Sequence, residues 1–131
     1  MIDKKMILAV DDDPVSLRIL STFLSPVYKV VTSSSAAEAS LILQQEVPAL
    51  ILLDIEMPDI SGFEYLHTIK KTPRLMKVPV IIVSSHSEEE FIIHAKKCGA
   101  SDLVPKPIHK DDLYKKIDYA FENPVKNIFG L

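Results

Sequence analysis

The chain has 131 residues, 47% of them hydrophobic, and 15 basic against 18 acidic side chains give a formal net charge of −3. This length fits one domain and the apolar share can build a core, which argues against disorder. The slight acidic excess excludes a strongly basic, sequence-independent grip on DNA or RNA, and a single cysteine excludes an internal disulfide.

The first apolar run, Met6 to Val10, is too short for a signal peptide or a membrane span. It reads as a strand buried on both faces. Asp11, Asp12 and Asp13 follow it directly. Asp13-Pro14 offers an N-cap with proline at the first helical position. Val15, Ile19, Leu20, Phe23 and Leu24 then recur at helical spacing. Tyr28 to Thr32 is a short β-branched second strand. Ser35 with Glu38 forms a capping box before Ala39, Ile42 and Leu43.

Leu50 to Leu53 is the third strand, and Asp54 follows it. Ser61-Gly62 opens a third helix carrying Phe63, Leu66 and Ile69. Val78 to Val83 is the fourth strand, followed by Ser84. Ser87 with Glu90 reads as a second capping box, before Phe91, Ile92 and Ala95. Glu88-Glu89-Glu90 suits the positive end of that helix. Gly99, after Lys96-Lys97-Cys98, is a stop signal. Leu103-Val104 is a short fifth strand ending at Pro105, which favours a sheet edge. The last helix runs from about Asp111 through Leu113, Ile117, Ala120 and Phe121, and ends before Asn123-Pro124.

Five β-α units with right-handed crossovers imply a doubly wound α/β sandwich over a parallel sheet. By analogy with flavodoxin-like folds, the strand order is expected to be 2-1-3-4-5, with a site at the carboxyl ends of strands 1 and 3. Asp11, Asp12 and Asp54 then meet in one crevice, where their charges repel unless protons or a cation intervene. Oxygen-only ligands select a hard cation, and Mg²⁺ suits few carboxylates with water and phosphate oxygens. Lys106 and Ser84, at the ends of strands 5 and 4, add a cation and a hydroxyl to the rim. A carboxylate nucleophile, metal ligands, a cation and a hydroxyl together suit phosphoryl transfer to Asp54.

The segments ILAVDDDP, LILLDIEMPDISG, PVIIVSS and GASDLVPKP, in this order, resemble the CheY-like receiver domain of bacterial two-component response regulators over roughly residues 5 to 122. The resemblance implies that Asp11 and Asp12 are the acidic pair, Asp12 being the direct metal ligand, and that Asp54 accepts the phosphoryl group. It implies a metal ligand in the Glu56 backbone carbonyl, a switch hydroxyl in Ser84, and a phosphoryl contact in Lys106. Met57-Pro58 and Gly62 shape the loop after the acceptor, and the Lys106-Pro107 bond is expected cis. Glu56 and His86 would set the lifetime of the phosphoryl group.

Mg²⁺ is the implied cofactor, and a histidine kinase or histidine phosphotransfer protein the implied donor. The implied output is an attached domain or a target protein, or a homodimer formed through helix 4, strand 5 and helix 5. No direct nucleic-acid binding by this domain and no membrane contact are expected, and the expected location is cytoplasmic. The receiver unit is placed at residues 1–124, with 125–131 a tail or linker stub. Leu103 stands where the family usually has an aromatic residue, and Pro105 is unusual before the lysine.

Asp11-x-Asp13 also resembles the nucleophile loop of haloacid-dehalogenase-type phosphatases, but the chain is short for one and the Asp54 motif is left over. A flavodoxin needs a phosphate-cradling loop where DDDP stands. A pseudo-receiver acting as an interaction module would lack part of the site set. His67, His94 and His109 read as surface residues, and Cys98 as a small apolar residue at a helix end.

Overall fold

The fold is described for residues 3–124 of a computed structural model; the proposed 125–131 tail lies outside the described residues. The elements are β1 (Met6–Val10), α1 (Pro14–Leu24), β2 (Lys29–Ser33), α2 (Ala36–Gln45), β3 (Leu50–Asp54), α3 (Gly62–Lys71), β4 (Val80–Ser84), α4 (Glu89–Lys97), β5 (Asp102–Pro105) and α5 (Lys110–Glu122). All strand pairs are parallel, in the expected order β2-β1-β3-β4-β5.

Alternation along each strand divides the core in two. Ile7, Ala9, Leu50, Leu52, Ile81, Val83 and Val104 face Leu20 and Leu24 of α1 and Leu113, Ile117 and Ala120 of α5. Leu8, Val10, Ile51, Leu53, Val80, Ile82 and Leu103 face α2, α3 and α4. Burying each Leu, Ile or Val contributes about 1.5–3 kcal/mol, so the double-sided sheet dominates the stabilisation. This explains why the central strands read as unbroken apolar runs.

The helix starts divide between expected and corrected. Asp13 caps α1, its carboxylate accepting the Val15 N–H at 3.0 Å and the Ser16 hydroxyl at 3.1 Å. Ser35 caps α2 by accepting the Glu38 N–H, but Glu38 does not return the bond; its carboxylate accepts from Ser34 instead. The expected Ser87/Glu90 box does not form: α4 begins one residue later, with Glu88 as N-cap and no side-chain capping bond. In α1, Val15 is 61% exposed although Ser16 beside it is buried, because at 100° per residue Val15 falls on the side of the helix opposite Leu17, Leu20 and Leu24, which with Phe23 make the packed face. Val78 belongs to the turn before β4 rather than to the strand.

Lys70 is buried, and its ammonium donates to Val78 O at 2.8 Å and Met76 O at 3.3 Å. Burial holds its pKa down to about 8. Its stem runs beside Gly99, which stops α4 at φ +105°, a conformation that favours glycine.

Gly62 starts α3 hard against the end of β3. A Cβ there would lie 2.3 Å from Asp54 O and 2.5 Å from Ile55 Cα, both backbone atoms. Gly62→Ala is therefore expected to cost about 2–3 kcal/mol through overpacking, read as a lower urea midpoint. An unchanged midpoint would contradict this close approach.

Candidate functional site

The sheet register brings the chemistry-bearing residues to one end. Val10 pairs with Leu53, so Asp11 stands level with Asp54. Asp54 pairs with the neighbour of Ser84, and Ser84 pairs with Pro105, which Lys106 follows. The Lys106 N–H donates to Ser84 O at 2.8 Å, so β5 carries its lysine to the rim in a fixed register. Pro105 costs no ladder bond there, since β5 is an edge strand. The Lys106-Pro107 peptide is cis, as expected.

Asp11 is 1% exposed and Asp54 6%, whereas Asp12 is open to solvent. Each of the three offers a carboxylate oxygen, and these atoms lie within 4.8 Å of one another. Asp11 Oδ1 accepts the Asp13 N–H at 2.9 Å, which fixes the acid pair to the turn before α1. Asp11 Oδ2 is buried without an aligned hydrogen bond; it meets the Lys106 ammonium at ion-pair distance, 2.9 Å. The same ammonium lies 3.8 Å from Asp54 Oδ1.

One lysine thus serves two buried carboxylates. Burial, and then the neighbouring Asp11 charge, push the Asp54 carboxyl up from 3.8 to about 7; Lys106 and the Glu56 backbone N–H pull the other way. For Lys106, burial favours the neutral amine, but Asp11, Asp54 and Asp13 outweigh it and raise its pKa. The donors are all oxygen, converge on one point and carry excess negative charge, so they fit a hard divalent cation such as Mg²⁺.

Ser84 is 2% exposed, and its hydroxyl accepts the His86 N–H at 3.0 Å. His86 Nε2 lies 3.0 Å from Glu56 Oε1, joining the loops after β3 and β4. Leu103 is buried on the α2–α3–α4 side of the sheet. Asp13 is committed to capping α1, which leaves the Asp-x-Asp reading of a phosphatase loop without its second free carboxylate.

Two features were not anticipated from the sequence. His94 Nε2 lies 3.6 Å from Cys98 Sγ, one helical turn on, but no third ligand joins this pair among the described residues. Asp59 accepts the Ala36 and Ala37 N–H groups of α2 at 3.3 and 2.9 Å. Only the helix-initiating pattern at Ser35 hinted that those amides needed acceptors.

The raised Asp54 pKa has a consequence for stability. Between about pH 4 and 7 the folded chain holds a proton that the unfolded chain releases. Stability therefore falls as pH rises through that window. In divalent-free buffer Asp54→Asn should melt above the wild type at pH 8, and the gap should close toward pH 4. A gap independent of pH would contradict the buried-carboxylate picture.

The response regulator receiver domain family matches residues 7–118. Among curated proteins, PilH of Pseudomonas aeruginosa is 31% identical over 113 residues, covering 86% of this chain and 93% of PilH. A two-component response regulator of Arabidopsis thaliana is 36% identical over 110 residues, and the transcriptional regulatory protein GlrR of Escherichia coli is 37% identical over 117. The matches cover 82% and 88% of this chain but only 19% and 26% of those two longer proteins. Among solved structures, a CheY-like receiver domain protein from Methanospirillum hungatei superposes with TM-score 0.80 at 30% identity, over 92% of this chain and 95% of that one. The chemotaxis response regulator CheY4 of Vibrio cholerae gives 0.82 at 25% identity, over 88% and 98%. Fold, site geometry and family match agree, and the chain belongs to the response regulator receiver domain family of two-component signalling.

Proposed function

We propose that the chain is a phosphoryl-accepting switch, in which Asp54 takes a phosphoryl group from the phosphohistidine of a histidine kinase or a histidine phosphotransfer protein. The observation that carries this reading is the buried Asp54 carboxyl, gathered with Asp11, Asp12 and Lys106 at one sheet end. A carboxylate of Asp54 attacks phosphorus as the bond to the donor nitrogen breaks. The imidazole leaves with that electron pair, and an acyl phosphate remains. Asp11, Asp12, Asp54 and the Glu56 backbone carbonyl would hold Mg²⁺, which would supply charge neutralisation for the incoming phosphoryl group. Lys106 answers the added negative charge from the other side. The chain catalyses only its own phosphorylation and dephosphorylation.

The same residues carry the signal. Phosphorylation adds roughly −1.5 to −2 charges and three acceptor oxygens. Ser84, whose hydroxyl now accepts from His86, moves inward to donate to a phosphoryl oxygen and draws the loop from Ser84 to Ser87 with it. The lack of a side-chain cap at the start of α4 supports an easily rearranged loop. Leu103 packs beside it without the hydrogen bond that an aromatic hydroxyl would make.

The output face is then α4, β5 and α5, where Ile93 and Tyr119 are exposed, and it engages a target protein, an attached output domain or a second copy. This unit occupies residues 1–124 and works in the cytoplasm, contacting neither nucleic acid nor membrane. Among the described residues no helix is long and apolar enough to cross a membrane.

With Mg²⁺ and acetyl phosphate, Asp54 should become an acyl phosphate that mild hydroxylamine removes. Label persisting in Asp54→Asn would sink the assignment. His86 and Glu56 join the loops that follow the Asp54 and Ser84 strands, so His86→Ala and Glu56→Ala should change the decay rate of that acyl phosphate without preventing its formation. Unchanged decay in both variants would remove their assigned role. Ser84→Ala should still be phosphorylated, but beryllium fluoride should alter hydrogen exchange at α4 and α5 less than in the wild type. An equal response would show that the signal bypasses the hydroxyl.

A further inference from the structure

We propose that Asp59 is a positioning residue for the metal-binding half of the acceptor site, tying the loop that carries Glu56 to the start of α2. This rests on reading Asp54 as a Mg²⁺-dependent phosphoryl acceptor. The loop of residues 55–61 is fixed at its base, where the Gly62 N–H donates to Ile55 O at 2.6 Å and Ile55 is buried. Met57 and Ile60 pack part-way into the core. Between these anchors Glu56, Pro58 and Asp59 are exposed.

Asp59 ties this exposed stretch to α2. Its Oδ1 accepts the Ala36 N–H at 3.3 Å and its Oδ2 the Ala37 N–H at 2.9 Å, across more than 20 residues of sequence. A helix leaves its first amides without internal partners, and a carboxylate there also meets the positive end of the dipole. Ser35 satisfies only the third residue of α2, through the Glu38 N–H. The first two amides are therefore left to a residue from another loop. The Ala37 amide above all, with the Ala36 amide, outweighs burial and holds the Asp59 carboxyl below its usual range.

The turn that Asp59 grips is also bonded to the acid pair. The Asp11 N–H donates to Ser33 O at 3.0 Å, and the Ser33 hydroxyl donates to Ser35 O at 2.8 Å. A run of hydrogen bonds thus extends from Asp11 through the β2–α2 turn to Asp59. It sets the spacing between the ligands after β1 and those after β3. Mg²⁺ demands near-ideal octahedral geometry, so a tie that fixes this spacing bears on affinity, and loss of outer support typically costs metal affinity about 10–100-fold.

The test is Mg²⁺ titration of the full chain by calorimetry, with amide hydrogen exchange read at Ala36 and Ala37. Asp59→Ala should weaken Mg²⁺ binding by about tenfold and speed exchange at both amides. Asp59→Asn keeps one acceptor oxygen of the two, so its Mg²⁺ affinity should fall between those of the wild type and Asp59→Ala. Leu41→Gly loosens α2 at an exposed position and touches neither tie; it should leave Mg²⁺ binding unchanged. Because coupling between sites is reciprocal, Mg²⁺ should slow exchange at Ala36 and Ala37 in the wild type. Wild-type affinity in Asp59→Ala, or equal weakening by Leu41→Gly, would overturn the positioning role while leaving the acceptor reading standing. A wild-type chain that binds no Mg²⁺ would overturn the acceptor reading and the proposal with it.

Discussion

Two buried carboxylates, Asp11 and Asp54, share the ammonium of Lys106, at 2.9 and 3.8 Å. With Asp12 beside them, three carboxylates face one nearby lysine, which cannot neutralise them all. Burying charge without full compensation is costly, so this cluster is the point at which the fold gives up stability. Protons, a divalent cation or a rearranged lysine can each relieve it.

The architecture is what makes such a site tenable. Parallel strands covered on both faces direct every strand end to the same side, and the apolar layers facing α1 and α5 on one side and α2, α3 and α4 on the other hold those ends in register. The lysine is set by the Ser84–Lys106 backbone bond, Asp11 and Asp12 by the Asp13 N–H and the turn after β2, and Asp54 by the last pairing of β3. Each functional side chain therefore sits on the last residue of a strand or within two residues of its end. The loops after β3 and β4 are tied mainly to each other, through Glu56 and His86, and to α2 through Asp59. They are the parts able to shift without disturbing the sheet.

Much of this was legible in the sequence because it is governed by local rules. The buried runs, the Asp13-Pro14 start, the Gly99 stop and the edge proline each follow from backbone chemistry at one place, and the strand order then collects Asp11, Asp54, Ser84 and Lys106 at one end. What escaped was contact across the fold. Asp59 looked like an ordinary loop acid because its partners lie in a different β-α unit. Lys70 gave no sign that it would be buried, since backbone carbonyls of the following turn receive its ammonium. The Ser87/Glu90 pattern matched a capping box and failed because α4 starts after Glu88, while Val15 matched the helical spacing and lies out in solvent. Local patterns name candidates for a cap or a core position; the neighbouring elements decide which ones are filled.

The central claim is that Asp54 sits in a pocket deficient in positive charge. Its carboxyl titration, followed by the ¹³C shift of the side-chain carbon with and without Mg²⁺, tests that most directly. The account predicts a midpoint near 7 in the metal-free chain, moving below the usual carboxylate range when Mg²⁺ is bound. A midpoint close to 3.8 in the metal-free chain, unmoved by the ion, would contradict it.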